Sequence, residues 1–282
     1  MASEVLIYVT YQHKRSVVVG QAMLHGIKKV GDRAVLRDVR TYKRPEGSVA
    51  VFYGLADGCR RVFREYVDAG LKAVYVDLGY WKRKDGGNFA GYHKLSVNNR
   101  HPTEYFQARP KTIERAKSFG LEVKPWRAGG THILLAGMSP KGSRAEGFAP
   151  SQWETRAVRT IKEQTKRPIV YRPKPKWDIV PKIPGTLFRA GESLEQALQD
   201  CFAVVAHHSN VAVDALLEGI PAFVAEGVAM PMALTDLRKI EEPLRPENRE
   251  QWVADLAWTQ WSVAEMQEGS AWRYLKDDGL VP

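Results

Sequence analysis

Residues Val204 to Val224 read VVAHHSNVAVDALLEGIPAFV, which is typical of a buried strand, a helix and a second buried strand. Ser209 or Asn210 is placed to cap the helix, and Gly219-Ile220-Pro221 ends it before the next strand. Short apolar runs joined by helices are typical of a parallel sheet with crossover helices. This stretch therefore predicts an α/β fold.

The same alternation extends along the chain on both sides of residue 124. Strands are predicted at 4–9, 34–39, 48–53 and 73–77, with helices at 15–30 and 60–69. A second series follows the linker-like segment 124–130, from a strand at 132–136, through a helix at 152–164, to a strand at 222–225, and two helices at 247–258 and 263–276 close the chain. We therefore predict two α/β domains, residues 1–127 and 128–282.

Composition excludes several classes of protein. The 282 residues are 44% hydrophobic and 26% charged, which excludes a disordered or collagen-like chain. Cys59 and Cys201 lie far apart in sequence, so neither a disulfide framework nor a structural zinc site is expected. No signal peptide and no apolar run of transmembrane length are present, which predicts a cytoplasmic protein that binds no membrane.

The positive charge is concentrated in the first half of the chain. Residues 1–128 contain 24 basic and 12 acidic residues, whereas residues 129–282 contain 18 and 20. This asymmetry indicates either a polyanionic partner for the first half or a solvated basic surface without a partner.

The stretch 78–107 is long, polar and aromatic, which predicts a functional loop. Its cations suit phosphate groups, and its aromatic rings suit stacking on an unstacked or flipped base, although the rings can equally anchor the loop to its domain. The candidate DNA contacts are Tyr80, Trp81, Lys82, Arg83, Lys84, Lys94 and Arg100.

Three strand ends in the second series carry polar or cationic residues, and ligands of open α/β sheets bind at such ends. The turn 137–142 and the strand end at Arg172 are suited to phosphate groups, and Asp214 is placed to reach a ribose hydroxyl. Each segment also has a purely structural interpretation, as a loop, a basic linker or a helix cap. The candidate donor-binding residues are Gly137, Ser139, Lys141, Gly142, Arg172, Lys174, His208, Ser209, Asn210 and Asp214.

Two related site classes are not favoured. A P-loop requires a Lys after the second glycine of the turn, and Ser143 follows Gly142 instead, which excludes the P-loop NTPase interpretation. His207 and His208 are expected to be capped histidines that bind no metal.

In this order, the turn 137–142, the segment Arg172-Pro173-Lys174-Pro175 and the segment 209–221 resemble the nucleotide-sugar-binding domain of GT-B glycosyltransferases. The resemblance covers about half of the chain and is strongest to capsular-polysaccharide transferases and to phage enzymes that glycosylate modified DNA bases. It implies an α/β, GT-B-like fold with two Rossmann-like domains facing each other across a cleft. The family often has His at the position of Lys174 and Glu at that of Asp214.

The resemblance also implies a chemistry. A nucleotide-diphosphate sugar is the expected co-substrate, with no other cofactor, and the absence of an Asp-x-Asp motif fits metal-independent transfer. A base is needed to accept the proton of the acceptor hydroxyl, and Asp77, at the end of a strand, is the first candidate. Asp57, His13, Asp85 and His93 are weaker candidates.

Together these features predict a hexosyl- or pentosyltransferase that modifies a hydroxymethylated base in double-stranded DNA, either 5-hydroxymethylcytosine or 5-hydroxymethyluracil, as in phage genome protection. A capsular or cell-wall polysaccharide glycosyltransferase is the alternative. A non-catalytic DNA-binding protein with a GT-like fold is a second alternative.

Overall fold

The structure is a computed structural model that describes residues 4–56, 58–87, 89–103, 110–174 and 181–282. The chain forms two compact units. The first unit contains Met1–Phe119 and Ala254–Pro282, and the second unit contains Gly120–Val253.

The described residues form strands β1 (Glu4–Val9), β2 (Arg33–Asp38), β3 (Val49–Tyr53), β4 (Lys72–Leu78), β5 (His93–Val97), β6 (His132–Ala136), β7 (Ile169–Arg172), β8 (Leu187–Phe188), β9 (Cys201–Ala206), β10 (Ala222–Val224) and β11 (Gln260–Trp261). The α-helices are α1 (Lys14–Lys29), α2 (Cys59–Asp68), α3 (Glu114–Ser118), α4 (Pro140–Ala145), α5 (Gln152–Gln164), α6 (Leu194–Leu198), α7 (Val211–Leu217), α8 (Arg249–Ala257), α9 (Val263–Glu268) and α10 (Ser270–Asp277). Within these ranges, no helix is both long and apolar enough to span a membrane.

The first unit contains a sheet in the order β11-β5-β4-β3-β1-β2. Strands β1 to β4 pair in parallel, and β5 pairs antiparallel with β4. Because side chains alternate across a strand, Val5 and Ile7 face α1, whereas Leu6 packs on the other face with Val62 and Tyr66 of α2. The sheet is therefore covered by helices on both faces.

The C-terminal segment belongs to the first unit, which differs from the predicted domain of 128–282. Strand β11 pairs with β5, and Trp272 is buried against the core of this unit with its indole N–H donating to Asp32 Oδ2 at 2.7 Å. Gly26 of α1 lies so close to the backbone of Met266 that a Cβ at this position would overlap the Met266 carbonyl oxygen. The apolar periodicity of 263–276 predicts a helix but carries no information on which sheet it covers.

The second unit contains a fully parallel sheet in the order β10-β9-β6-β7-β8. Ile133 and Leu135 pack with α5, and Leu134 and Val204 pack on the opposite face with α6 and α7. This arrangement confirms the predicted α/β class and places the carboxyl ends of all five strands at one edge of the sheet.

Two predicted segments have a different structure. The stretch 78–107 is not one continuous loop, because β5 runs through it with all five of its residues buried. The alternation His93-Lys94-Leu95-Ser96-Val97 is too polar to indicate a strand that is buried on both faces. The predicted helix 263–276 is two helices, α9 and α10, separated by Gly269 in the left-handed conformation at φ +90°.

Candidate functional site

The carboxyl edge of the second unit's sheet brings the three predicted donor-binding segments side by side. Ala136 at the end of β6 lies opposite Arg172 of β7 and Ala206 of β9. Gly137, Pro173 and His207 therefore leave the sheet at the same level, with the β6 turn in the middle.

The turn after β6 is held on both sides. A Cβ at Gly137 would lie 2.9 Å from Tyr171 Oη and 3.2 Å from Pro173 Cα, so the close approach of the turn to β7 requires glycine. The backbone N–H of Met138 donates to Glu154 Oε1 at 2.7 Å. Ser139 then caps α4, where its Oγ accepts from the Gly142 N–H at 3.0 Å.

The β6 turn also approaches the segment after β9. A Cβ at Gly142 would lie 3.9 Å from His208 Nε2. Lys141, next to Gly142, is exposed to solvent. The β6 turn and the segment after β9 thus lie next to each other along this edge, and Lys141 of the β6 turn supplies a cation there.

The end of β7 contributes a half-buried arginine. Arg172 donates from Nη2 to the carbonyl oxygen of Glu192 at 3.3 Å, and Lys174 two residues later is exposed. Pro175, the last residue of the predicted segment, lies outside the described residues.

The segment after β9 contains an ordered histidine pair. His207 is buried between the rings of Phe148 and Trp153, at centroid distances of 5.6 and 5.4 Å. Its Nδ1 lies 2.9 Å from Nδ1 of the half-buried His208, so one of these two nitrogens carries the shared proton. Nδ1 of His208 also lies 3.7 Å from Glu226 Oε1.

The helix that follows the histidine pair begins as predicted. Ser209 Oγ accepts from the Val211 N–H at 3.3 Å, whereas the Asn210 side chain makes no capping hydrogen bond. Asp214 lies in the first turn of α7 and is half-buried. Ser209, Asn210 and Asp214 therefore occupy the start of the helix at the same edge as His208.

One group of described residues has the composition of a metal site. Ligand atoms of His207, His208 and Glu226 all lie within 4.8 Å of one another, which would allow them to hold a metal ion. Within this group, Nδ1 of His208 faces both Nδ1 of His207 and Oε1 of Glu226. That His207 and His208 bind no metal stays a prediction.

Two further polar residues at this edge are not predicted by the sequence reasoning. Glu154 of α5 is fully buried and fixes the β6 turn through Met138, and Glu226 follows β10. Burial and the negative charge of Glu154 raise the pKa of Tyr171 to about 12. Glu154 belongs to a regular amphipathic helix, and nothing in its spacing distinguishes it from a surface carboxylate.

Asp77 lies at the carboxyl end of β4 in the first unit, as predicted. Its Oδ2 accepts from Tyr75 Oη at 2.6 Å, and its Oδ1 accepts from the Leu78 N–H at 2.8 Å. These two bonds fix the orientation of the carboxylate. Each oxygen retains a lone pair for a further donor.

Aromatic and cationic side chains surround this end of the sheet. His93, opposite Leu78 in the sheet, is fully buried, and its ring lies edge-on to that of Tyr53 at 5.8 Å. Arg15 Nη1 donates to Tyr53 Oη at 3.4 Å. Burial and the charge of Arg15 lower the pKa of His93 to about 4, so this histidine is neutral at pH 7.

The weaker candidates for the base have other roles or positions. His13 caps α1 by accepting from the Ser16 N–H at 3.2 Å, and its ring stacks on Tyr53 at 5.4 Å. Asp85 is exposed, and Asp57 lies outside the described residues. Among the described candidates for the base, Asp77 is the one whose two carboxylate oxygens both accept hydrogen bonds that fix its orientation.

Two predicted DNA contacts are wrong. Tyr80 is 3% exposed, so its ring cannot stack on a base, and Lys94 is buried in β5 with its Nζ donating to the Arg100 carbonyl at 3.1 Å. The sequence around both residues is polar, so it does not indicate that β4 and β5 pair in this region.

The other predicted DNA contacts differ in accessibility. Trp81 is half-buried and packs 6.2 Å from the Phe119 ring, which favours the anchoring interpretation for this residue. Arg83 donates to the Tyr80 carbonyl at 3.2 Å and Arg100 is half-buried, whereas Lys82 and Lys84 are exposed. Exposed Phe89, under Arg15 at 4.6 Å, is an accessible ring of this region.

No family model and no curated protein matches the sequence. Among solved structures, the chain is similar to KpsC of Thermosulfurimonas dismutans, described as a beta Kdo 2,4 transferase, with a TM-score of 0.51 and 12% identity over 88% of this chain and 89% of that one. It is also similar to the beta Kdo 2,7 transferase KpsC of the same organism, with a TM-score of 0.52 and 10% identity over 96% and 99%. The chain has the GT-B fold. The predicted fold class is therefore confirmed, while the roles of individual site residues remain predictions.

Proposed function

We propose that the protein is a glycosyltransferase that uses a nucleotide-activated sugar. The observation that carries this proposal is the register of the second sheet, which aligns Gly137, Pro173 and His207 at one carboxyl edge. Ligands of parallel α/β sheets bind at such edges, and the two KpsC proteins of the same fold are described as transferases.

Each donor-binding residue has a role that its position supports. Arg172, Lys174 and Lys141 neutralise the diphosphate, with Ser139 and the segment from His208 to Asn210 lining the same edge. Asp214 accepts a hydrogen bond from a ribose hydroxyl. In this proposal cationic side chains stabilise the departing charge, and transfer requires neither a metal nor a further cofactor.

The reaction is a substitution at the anomeric carbon of the donor sugar. The acceptor hydroxyl oxygen forms the new bond to this carbon, the bond to the diphosphate oxygen breaks, and the diphosphate leaves with the electron pair. Asp77 accepts the proton of the hydroxyl. The hydrogen bonds from Tyr75 and Leu78 hold its carboxylate in one orientation for this step.

The acceptor in this proposal is a hydroxymethylated base of double-stranded DNA, in the cytoplasm of a phage-infected cell. The first unit contains 24 basic and 16 acidic residues, whereas the second contains 18 and 16. The acidic C-terminal segment thus reduces the asymmetry seen in the sequence but does not remove it. Exposed Lys82 and Lys84 suit phosphate contacts, and exposed Phe89 suits a base.

A polysaccharide transferase is the second candidate. The similarity to two KpsC proteins over nearly the whole chain favours it, because those proteins have the same fold and are described as Kdo transferases. The two candidates share a donor site and differ in the acceptor. Binding to hydroxymethylated duplex DNA that weakens as salt is raised favours the DNA acceptor, whereas binding to an anionic glycan without affinity for DNA favours the second candidate.

Donor binding is tested with Arg172→Gln and a matched control. Melting temperatures are measured with and without a panel of nucleoside diphosphates, which stabilise a protein that binds them in its folded state. Arg172→Gln is expected to lose most of this stabilisation. Arg159→Gln, an exposed arginine of α5, is expected to retain it. Equal stabilisation of both variants would exclude Arg172 from the donor site.

A further inference from the structure

The first unit contains a pocket of about 300 Å³ that is lined by residues outside the stretch 78–107. It lies at the carboxyl ends of β1 and β2, where Tyr8 and Arg37 are paired in register. The segment after β2 supplies the remaining walls. The lining residues are Tyr8, Arg37, Thr41, Tyr42, Lys43, Arg44 and Glu46.

The segment that forms the pocket is fixed at several points. Tyr42 Oη donates to Glu65 Oε2 at 2.9 Å, and its ring packs edge-on against Tyr8 at 5.3 Å. Arg61 donates to the Lys43 carbonyl oxygen at 2.8 Å. The hydroxyl of Tyr66 accepts from the Glu46 N–H at 3.2 Å. The cations of the pocket are thus presented from an ordered backbone.

The charges in the pocket are not balanced by the protein. Arg37, Lys43 and Arg44 are exposed, and none of the three forms an ion pair with any residue in the described ranges. Glu46 is the single carboxylate among the lining residues. The neighbouring Arg40 differs, because it makes a bidentate pair with Asp38. Three cations that form no ion pair with the described residues, against one carboxylate, give this concave site a net positive charge, which matches the chemistry of a phosphate group.

We propose that this pocket binds a phosphate group of the acceptor DNA backbone. The DNA source of that phosphate rests on the proposed function, whereas the phosphate chemistry rests on the pocket itself. Arginine forks pair with the non-bridging oxygens, and the lysine supplies a further donor. This contact positions the duplex on the first unit and reads no sequence.

The test compares two triple variants with the same loss of charge. The pocket variant is Arg37→Gln/Lys43→Gln/Arg44→Gln. The control variant is Lys28→Gln/Arg33→Gln/Arg273→Gln, which removes exposed cations elsewhere in the first unit. Affinity for a hydroxymethylated duplex is measured by fluorescence anisotropy over a salt series. Thermal stabilisation by inorganic phosphate is measured on the same proteins, and Arg44→Gln alone is included should the triple variant fold poorly.

The pocket variant is expected to bind the duplex about tenfold more weakly than the control, with the slope of log K against log salt smaller by about one. Unchanged duplex binding with lost phosphate stabilisation would support the site and assign it to a free phosphate. Duplex affinity and phosphate stabilisation both equal to those of the control would overturn the proposal. A wild-type protein that binds no duplex would contradict the DNA acceptor, and the phosphate measurement would still decide the pocket.

Discussion

The position of Asp77 at a strand end can be predicted from the sequence, whereas the buried position of Glu154 cannot. Asp77 can be predicted because it ends an apolar strand, and the structure adds the Tyr75 and Leu78 bonds that orient it. Glu154 cannot be predicted, since its importance depends on a contact with Met138 on another element. The sequence therefore indicates a polar site residue only where it also indicates the strand end on which that residue lies.

Asp77→Asn removes the proposed proton acceptor and keeps the shape of the side chain. The rate of transfer is expected to fall by about 10² to 10⁴-fold, as for loss of a general base. Asp68→Asn changes an exposed carboxylate nine residues away and is expected to retain full activity. Both rates are measured under single-turnover conditions with the same donor. A rate for Asp77→Asn close to that of the control would remove Asp77 from the mechanism.

His93 links stability to pH. Its pKa is lowered to about 4 in the folded protein, chiefly by burial and then by the charge of Arg15, whereas an unfolded histidine has a pKa of about 6.5. Between these values the unfolded chain binds the proton and the folded chain does not, so stability falls as pH falls from 6.5 to 4. This group contributes up to about 3 kcal/mol of that loss.

The measurement is urea denaturation of wild type and His93→Gln across this range of pH. The variant is expected to show a shallower fall of the unfolding free energy between pH 6.5 and 4, whatever its absolute stability. Parallel curves for the two proteins would contradict the assignment.

At the scale of elements, most helices and strands can be predicted because apolar periodicity and terminal residues mark them. Strand β5 and helix α4 are the informative exceptions. β5 contains His93 and Lys94 in a strand that is buried on both faces, and α4 begins at a Pro after Ser139, within a turn whose glycines favour a loop. In both cases tertiary contacts override a local pattern.

Gly137 tests the packing of the β6 turn against β7. Gly137→Ala places a methyl group 2.9 Å from Tyr171 Oη, so it is expected to destabilise the protein by about 1 to 3 kcal/mol and to weaken donor binding. Gly129→Ala is the matched control, because a Cβ there meets nothing within 4 Å. Chemical denaturation and donor titration check both variants. Equal stability and donor affinity would show that the turn is not tightly packed.

At the scale of the whole molecule, the two α/β units can be predicted from the alternation of elements, but the return of the C-terminus to the first unit cannot. That return depends on contacts such as Gly26 with Met266 and Trp272 with Asp32, which join residues more than 200 positions apart. No local pattern contains this information. The charge asymmetry estimated from sequence halves changes for the same reason.

Trp272→Ala tests the return of the C-terminus. Removing this buried ring is expected to cost about 3 to 5 kcal/mol of stability, whereas Arg273→Ala at the next, exposed position is expected to be nearly neutral. Denaturation followed by circular dichroism provides the comparison. Small and equal effects would indicate that the C-terminal helices do not stabilise the first unit.

Mass spectrometry of nucleosides decides whether the protein transfers a sugar to a hydroxymethylated base. The protein is incubated with hydroxymethylated or unmodified duplex DNA and a panel of nucleotide sugars, and the DNA is then digested. We expect a mass gain of one hexose or pentose on the hydroxymethylated nucleoside alone. No gain with any donor, from a protein that binds the duplex tightly, would contradict it.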